Sequence, residues 1–219
     1  MLRSLLSVFV LGFVTTVTAW AQYTPGLAGY IDDVTYVAPG GIYRVKIPVI
    51  PELGGTVSDT NNVAVFRDDY TVHVSIGAFP LDATQRWELA TRGPKAYLPA
   101  FFAAYVMPDF ENMFPGTHIE SGVFLPNRLG GAVLCFTLMP GGSMFAPQLP
   151  EILVSAPPVA KRGNLIFVQH NVVYVISIEL TERVLEGSTY NKTVEEENQI
   201  LRDRLDAVVA GMEFAVPKD

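Results

Sequence analysis

Histidines are the side chains best suited to metal binding and proton transfer near neutral pH, and the chain has three, His73, His118 and His170. His73 falls on the polar side of an alternating stretch, His118 opens an expected strand, and His170 sits at an expected turn. No spacing joins them into a familiar ligand set, so the reading names no metal, no cofactor and no catalytic residue. Asp32-Asp33 and Asp68-Asp69 are carboxylate pairs at hairpin turns, where adjacent acids serve as solvated turn formers. There is no Gly-x-Ser-x-Gly elbow and no Walker-type loop; Gly130-Gly131 and Gly141-Gly142-Ser143 read as turns. Cys135 is the single cysteine, which leaves no intramolecular disulfide and no cysteine-based metal site. Its neighbours Val133, Leu134 and Phe136 predict an inert, buried thiol rather than a nucleophile.

Two apolar stretches are better candidates for binding than any polar cluster. In 97–106 the aromatic residues Tyr97, Phe101 and Tyr105 recur one helical turn apart, with Leu98, Phe102 and Val106 beside them. Such a helix packs on a core, and any side left over becomes a ligand or partner surface. A pocket there would be lined by Tyr97, Phe101 and Tyr105, with His73 or His118 supplying its polar contact. The second stretch is the long connection 140–162, rich in proline and glycine yet carrying large apolar residues. Ile152, Leu153 and Val154 are expected to dock as an edge element. Met144, Phe145 and Leu149 are expected to stand out as an exposed tip that touches a partner.

The elements that must position these residues follow from period and turn signals. The stretch 164–180 is dense in β-branched and aromatic residues and reads as a hairpin turning at His170-Asn171. In its second arm Val172, Tyr174, Ile176, Ile178 and Leu180 form one apolar face. Val173, Val175, Ser177 and Glu179 form another that begins apolar and ends polar, so the strand is expected to be central and covered on both sides. A first hairpin spans 34–49, with Pro48 marking an edge strand, and a second pairs 63–66 with 70–79 across a turn. Strands are expected at 118–125 and 131–139, helices at 84–90 and 95–106, and a further helical turn at 109–114. A closing helix begins with a Thr193/Glu196 capping box, which is the bland reading of the Asn191-Lys192-Thr193 glycosylation pattern. Its expected buried stripe is Val194, Leu201, Leu205, Val208 and Met212. Strand pairs alternating with helices give an α+β domain, a mainly antiparallel sheet with helices packed on it.

The 219 residues are 49% hydrophobic and 17% charged, with a formal charge of −7, within the range of a single globular domain. Arg3, the apolar run 5–17 and Ala19-Trp20-Ala21 form the pattern of a cleaved leader ending before Gln22. That run is shorter than the about 20 residues a membrane span needs. The expected organisation is a leader at 1–21, a flexible lead-in at 22–29 and one domain at 30–216. The expected product is soluble and exported, periplasmic or secreted, without a membrane anchor. The acidic balance argues against nucleic acid as a partner.

The order of elements resembles the PsbP/Mog1-type α/β/α sandwich. The residues that carry the likeness are Pro39-Gly40-Gly41 before Tyr43-Arg44-Val45-Lys46-Ile47-Pro48, the strand 70–79, the helix before Gly116, the strand 131–139, the hairpin 164–180 and the helix running to Met212-Glu213-Phe214. The resemblance spans most of the chain as topology and brings no catalytic motif, and the connection 140–162 departs from it. It implies a non-enzymatic accessory or binding protein; the alternative is a small-molecule-binding protein or enzyme using a pocket beside 97–106.

Overall fold

The computed structural model describes residues 26–149 and 157–216. The chain opens with short strands at Tyr30–Asp32 (β1), Thr35–Val37 (β2) and Tyr43–Lys46 (β3), followed by Thr56–Asp59 (β4), Val63–Arg67 (β5) and His73–Pro80 (β6). Helices Ala83–Arg92 (α1) and Pro94–Phe101 (α2) come next, and one π-helical turn at Phe102–Val106 leads into Met107–Met113 (α3). Strands His118–Leu125 (β7), Ala132–Pro140 (β8), Val159–Gln169 (β9) and Val172–Glu179 (β10) precede helices Glu182–Leu185 (α4) and Val194–Ala210 (α5), and Met212–Phe214 (β11) closes the chain.

The strands form two antiparallel sheets, one of four strands in the order β1-β2-β3-β11 and one of seven in the order β4-β5-β6-β10-β9-β8-β7. The fold class is therefore α+β, as the patterning implies. The residue-rich hairpin is β9–β10, and β10 occupies the middle of the seven-stranded sheet with every residue buried. His170 and Asn171 both have positive φ, the backbone that a two-residue hairpin turn matching strand twist demands.

Alternation along β10 divides the core in two. Tyr174, Ile176 and Ile178 face the small sheet and α5, where they join Tyr36, Tyr43, Val45, Leu201 and Leu205. Val173 and Val175 face the other way and join Ile166, Val133, Leu98, Phe101 and Phe102 beneath α2. Gly163 of β9 sets how closely α5 can approach: a Cβ there would lie 2.9 Å from Cβ of Leu201. The α5 capping box forms as the spacing predicts, with Thr193 accepting from the Glu196 amide and Glu196 accepting from the Thr193 amide.

Several expectations are corrected. Helix α2 starts at Pro94 and encloses Pro99; the carbonyl four residues back belongs to exposed Lys95, where water can replace the lost bond. β3 is not an edge strand, because Met212–Phe214 leaves the helix and pairs with it, and β3 ends at Lys46 before Pro48. Val194 is exposed rather than part of the buried stripe. A further strand, β4, lies between the two expected hairpins, and β9 begins at Val159, inside the expected connection 140–162. The end of the lead-in is held, since the amides of Ala28 and Gly29 donate to Asp59 at 2.8 and 2.7 Å. The proposed leader 1–21 and the segment Ile152, Leu153, Val154 lie outside the described residues. No helix among the described residues is long and apolar enough to cross a membrane.

Candidate functional site: a cleft beneath the third helix

Pro108 has no amide hydrogen for the carbonyl of Ala104, and its ring crowds that group. The helix meets this obstacle with the π-helical turn ahead of α3, an insertion frequent at functional sites. Before the turn, α2 covers the apolar rows of the sheet. After it, α3 and the seven-stranded sheet leave a cleft of about 350 Å³ between them. Its helix side is Tyr105, Val106, Asp109, Phe110 and Met113, and its sheet side includes Val63 and Val65 of β5, Gly77 and Phe79 of β6, and Val175 of β10.

Strand registry decides what lies at the deep end. Gly77 pairs with Val175, and two residues further along Ser75 pairs with Ser177, itself opposite Asn164. The next row holds Arg67 opposite His73 and Glu179 opposite Arg162. A face that is apolar under α2 thus becomes polar under α3. His73, Ser75, Ser177 and Arg162 line the cleft there, and Glu179 stands behind them. Relative exposure is 5% for His73, 6% for Arg162 and 2% for Ser177.

Glu179 is well supplied with donors. The Ser143 hydroxyl donates to Oε1 at 2.5 Å and the Met144 amide to Oε2 at 3.2 Å. Arg162 is not so well placed: its Nη2 reaches the Gly142 carbonyl at 3.4 Å and Glu179 Oε2 only at 3.7 Å. Its guanidinium also lies 5.9 Å from the Phe110 ring centroid. Among the described residues, Nε of Arg162, Oγ of Ser177 and Nδ1 of His73 have no hydrogen-bond partner. Buried polar groups are rarely left so, and three at one end of one cleft mark a place for a ligand's polar atoms.

Burial, reinforced by Arg162 and Arg67, brings the His73 pKa down to about 3. The imidazole is neutral at physiological pH, and its 3.8 Å approach to Glu179 is not an ion pair. Burial also lowers the Arg162 pKa, against the opposing pull of Glu179, yet an arginine stays charged under these conditions. A base this weak does not deprotonate a nucleophile near pH 7. Among the described residues none of the three serines, Ser75, Ser143 and Ser177, forms a hydrogen bond to His73 Nδ1; Ser143 is engaged with Glu179. The arrangement is suited to holding a molecule rather than to acid–base or nucleophilic chemistry.

Of the residues singled out in the sequence, the cleft brings together His73, Tyr105 and Met144. Tyr97 and Phe101 are core residues under α2 that share a smaller hollow, about 130 Å³, with Tyr105. His118 is apart from both and exposed, with Nδ1 3.0 Å from the Gly116 carbonyl. The exposed tip is not what forms. Phe145 is fully buried, and its amide donates to Ser143 Oγ at 3.1 Å; Met144 is half-buried in the cleft wall, and part-buried Leu149 lies outside it. The Ser143–Glu179 bond turns this segment inward, so apolar residues that read as a partner contact serve as packing. Cys135 is a buried thiol whose pKa burial pushes up to about 12, in keeping with the inert reading. Asp68 is not a solvated turn acid: it is buried and accepts the amides of Tyr70, Thr71 and Val72.

Arg162, Ser177, Glu179 and Ser143 are the site residues that sequence reasoning passed over. The signal for two of them was present, because Ser177 and Glu179 interrupt the apolar run of a central strand. Among the described residues no group of three metal-ligating side chains is assembled.

No protein-family profile and no curated protein matches the chain. Among solved structures, a Mog1 mutant is similar at 12% identity and a TM-score of 0.44, over 84% of this chain and 96% of that one. The Saccharomyces cerevisiae Ran-binding protein Mog1p is similar at 11% identity and a TM-score of 0.44, over 86% and 96%. A protein of Bacteroides thetaiotaomicron is similar at 10% identity and a TM-score of 0.39, over 84% of this chain and 49% of that one. These are low-identity likenesses of fold, from which neither a partner nor an activity follows.

Proposed function

We propose that this chain is a non-catalytic binding or accessory protein whose cleft beneath α3 holds a small amphiphilic molecule, and that it works in an exported compartment, periplasmic or secreted. The observation that carries the binding reading is the convergence of three buried polar atoms without a hydrogen-bond partner among the described residues, Nδ1 of His73, Nε of Arg162 and Oγ of Ser177, at the end of an otherwise apolar cleft. A cleft of about 350 Å³ is at the lower end of the range of ligand sites and shares their mostly apolar lining with a few convergent polar groups. An under-supplied buried guanidinium destabilises the empty protein, and a ligand bringing acceptors relieves it. Tyr105 and Met113 are exposed beside the opening and give an apolar ligand a compatible entrance. Export rests on the leader pattern of residues 1–21 alone.

The binding reading is tested with a neutral apolar fluorophore, N-phenyl-1-naphthylamine. The expected result is saturable one-to-one binding that Val65→Trp, which fills the cleft wall, abolishes. Absence of saturation, or binding untouched by that substitution, overturns it. Export is tested by fractionating cells that make the full chain: a shortened form outside the cytoplasm is expected, and an unprocessed cytoplasmic form contradicts it.

A further inference from the structure

Resting on the binding reading, the geometry points to a monocarboxylate amphiphile as the ligand, its carboxylate held by Arg162 and Ser177 and its hydrocarbon body lying between Phe79 and Phe110. The charged group at the polar end that is short of acceptors is the guanidinium of Arg162. Arg162 Nε carries a hydrogen with no acceptor, and the two long contacts of Nη2 leave the guanidinium fork largely unspent. Ser177 Oγ, on the adjacent strand one register step away from Glu179, is unpartnered and almost fully buried.

The one buried carboxylate nearby cannot supply the deficit, since Glu179 already accepts from Ser143 and Met144. A planar group with two acceptor oxygens matches the guanidinium fork, and its second oxygen is within the chemistry of a serine hydroxyl. Charge points the same way. Around the polar end stand the arginines 162 and 67 against Glu179, with Asp109 exposed at the rim. The lowered pKa of His73, to which both arginines contribute after burial, reports a positive potential at that spot. One ligand carboxylate would balance the inner three charges, Arg162, Arg67 and Glu179, whereas a cationic head would add to their excess; Asp109, at the exposed rim, is screened by water. The body of the ligand is apolar because the rest of the wall is: Val63, Val65, Phe79, Val106 and Phe110 offer no hydrogen-bonding side chain.

Calorimetric titration of the purified protein with decanoate, decanol and decyltrimethylammonium separates head from tail. Decanoate is expected to bind one-to-one, at least about tenfold tighter than decanol, as a charge-assisted pair outweighs a neutral one. The cationic probe is expected not to saturate. Arg162→Met should bring the decanoate-to-decanol preference close to unity by weakening decanoate far more than decanol. Should that variant fail to fold, Ser177→Ala serves instead and should weaken decanoate by about fivefold, the loss of one hydrogen bond. Decanol binding as tightly as decanoate, a preference that survives Arg162→Met, or decanoate affinity unmoved by Ser177→Ala overturns the assignment. N-phenyl-1-naphthylamine titrated into the same sample tells the two failures apart: if it binds and decanoate is not preferred, only the head assignment falls; if nothing binds, the binding reading falls with it.

Discussion

Lys161 and Arg162 are neighbours on β9 and point to opposite faces of one sheet, both buried. Lys161 Nζ meets Glu120 at 2.5 Å and Glu197 at 2.9 Å, and Glu197 also accepts from Arg183 at 2.6 Å. That cluster ties β7, β9, α4 and α5 together with two cations against two carboxylates. Arg162 has nothing comparable within 3.3 Å, and its neighbours His73 and Ser177 share its want of partners. Equal burial with unequal satisfaction separates charges that hold a fold together from charges kept for a visitor.

The sharpest way to break that contrast is to remove each cation in turn. Lys161→Met leaves buried Glu197 with only Arg183 and strips part-buried Glu120 of its cation, and urea unfolding should show a loss of about 3–5 kcal/mol. Phe145→Ala tests whether the segment beside the cleft is core; a fully buried ring removed from it should also cost about 3–5 kcal/mol, and limited proteolysis of the parent protein should spare the 144–145 bond. A loss within about 0.5 kcal/mol, the range of surface positions, would restore the exposed-tip reading.

Acid sharpens the comparison on the Arg162 side. The unfolded chain protonates His73 as pH falls through about 6.5, while the folded chain resists until about 3. The unfolded state therefore binds more protons across that window, and stability falls as pH falls; above pH 7 the group contributes nothing. Between pH 7 and pH 4 the expected cost is about 3 kcal/mol, read as the difference in unfolding free energy between the parent and His73→Gln. Equal slopes for the two would show the imidazole to be freely protonated. The smallest effect belongs to Arg162→Met, expected to change stability by no more than about 1 kcal/mol, because contacts at 3.4 and 3.7 Å return little of the cost of burying the charge. A loss as large as that of Lys161→Met would mean that the two faces do not differ.

Much of this contrast was legible one residue at a time but not as a pair. The alternation Val173, Val175, Ser177, Glu179 announced a strand face that changes character part-way, and the cleft lies at that change. Period and turn residues also revealed the β9–β10 hairpin, the α5 cap and the helix beneath which the cleft opens. Lys161-Arg162 fell at the end of the connection read at 140–162, because only tertiary neighbours, Glu197 from α5 and Glu120 from β7, can make such a charge tolerable inside a strand. Met144 and Phe145 misled for a related reason: proline- and glycine-rich surroundings suggest exposure, and nothing local discloses that Ser143 will find Glu179. Strands β4 and β11, of four and three residues, carry too few alternations to be recognised before their partners are known.

The central position of β10 has a consequence for how the protein comes into being. Its partner on one side, β6, precedes it by three helices and three strands, and Pro80 must wait for Val172. Until β10 is made, β4–β6 have no strand joining them to β9, β8 and β7, so a ribosome-bound fragment ending before β10 lacks the middle of its sheet. Pairing over such sequence distance makes folding slow. Under the export proposed above, that delay would keep the polypeptide in the open form that threading requires.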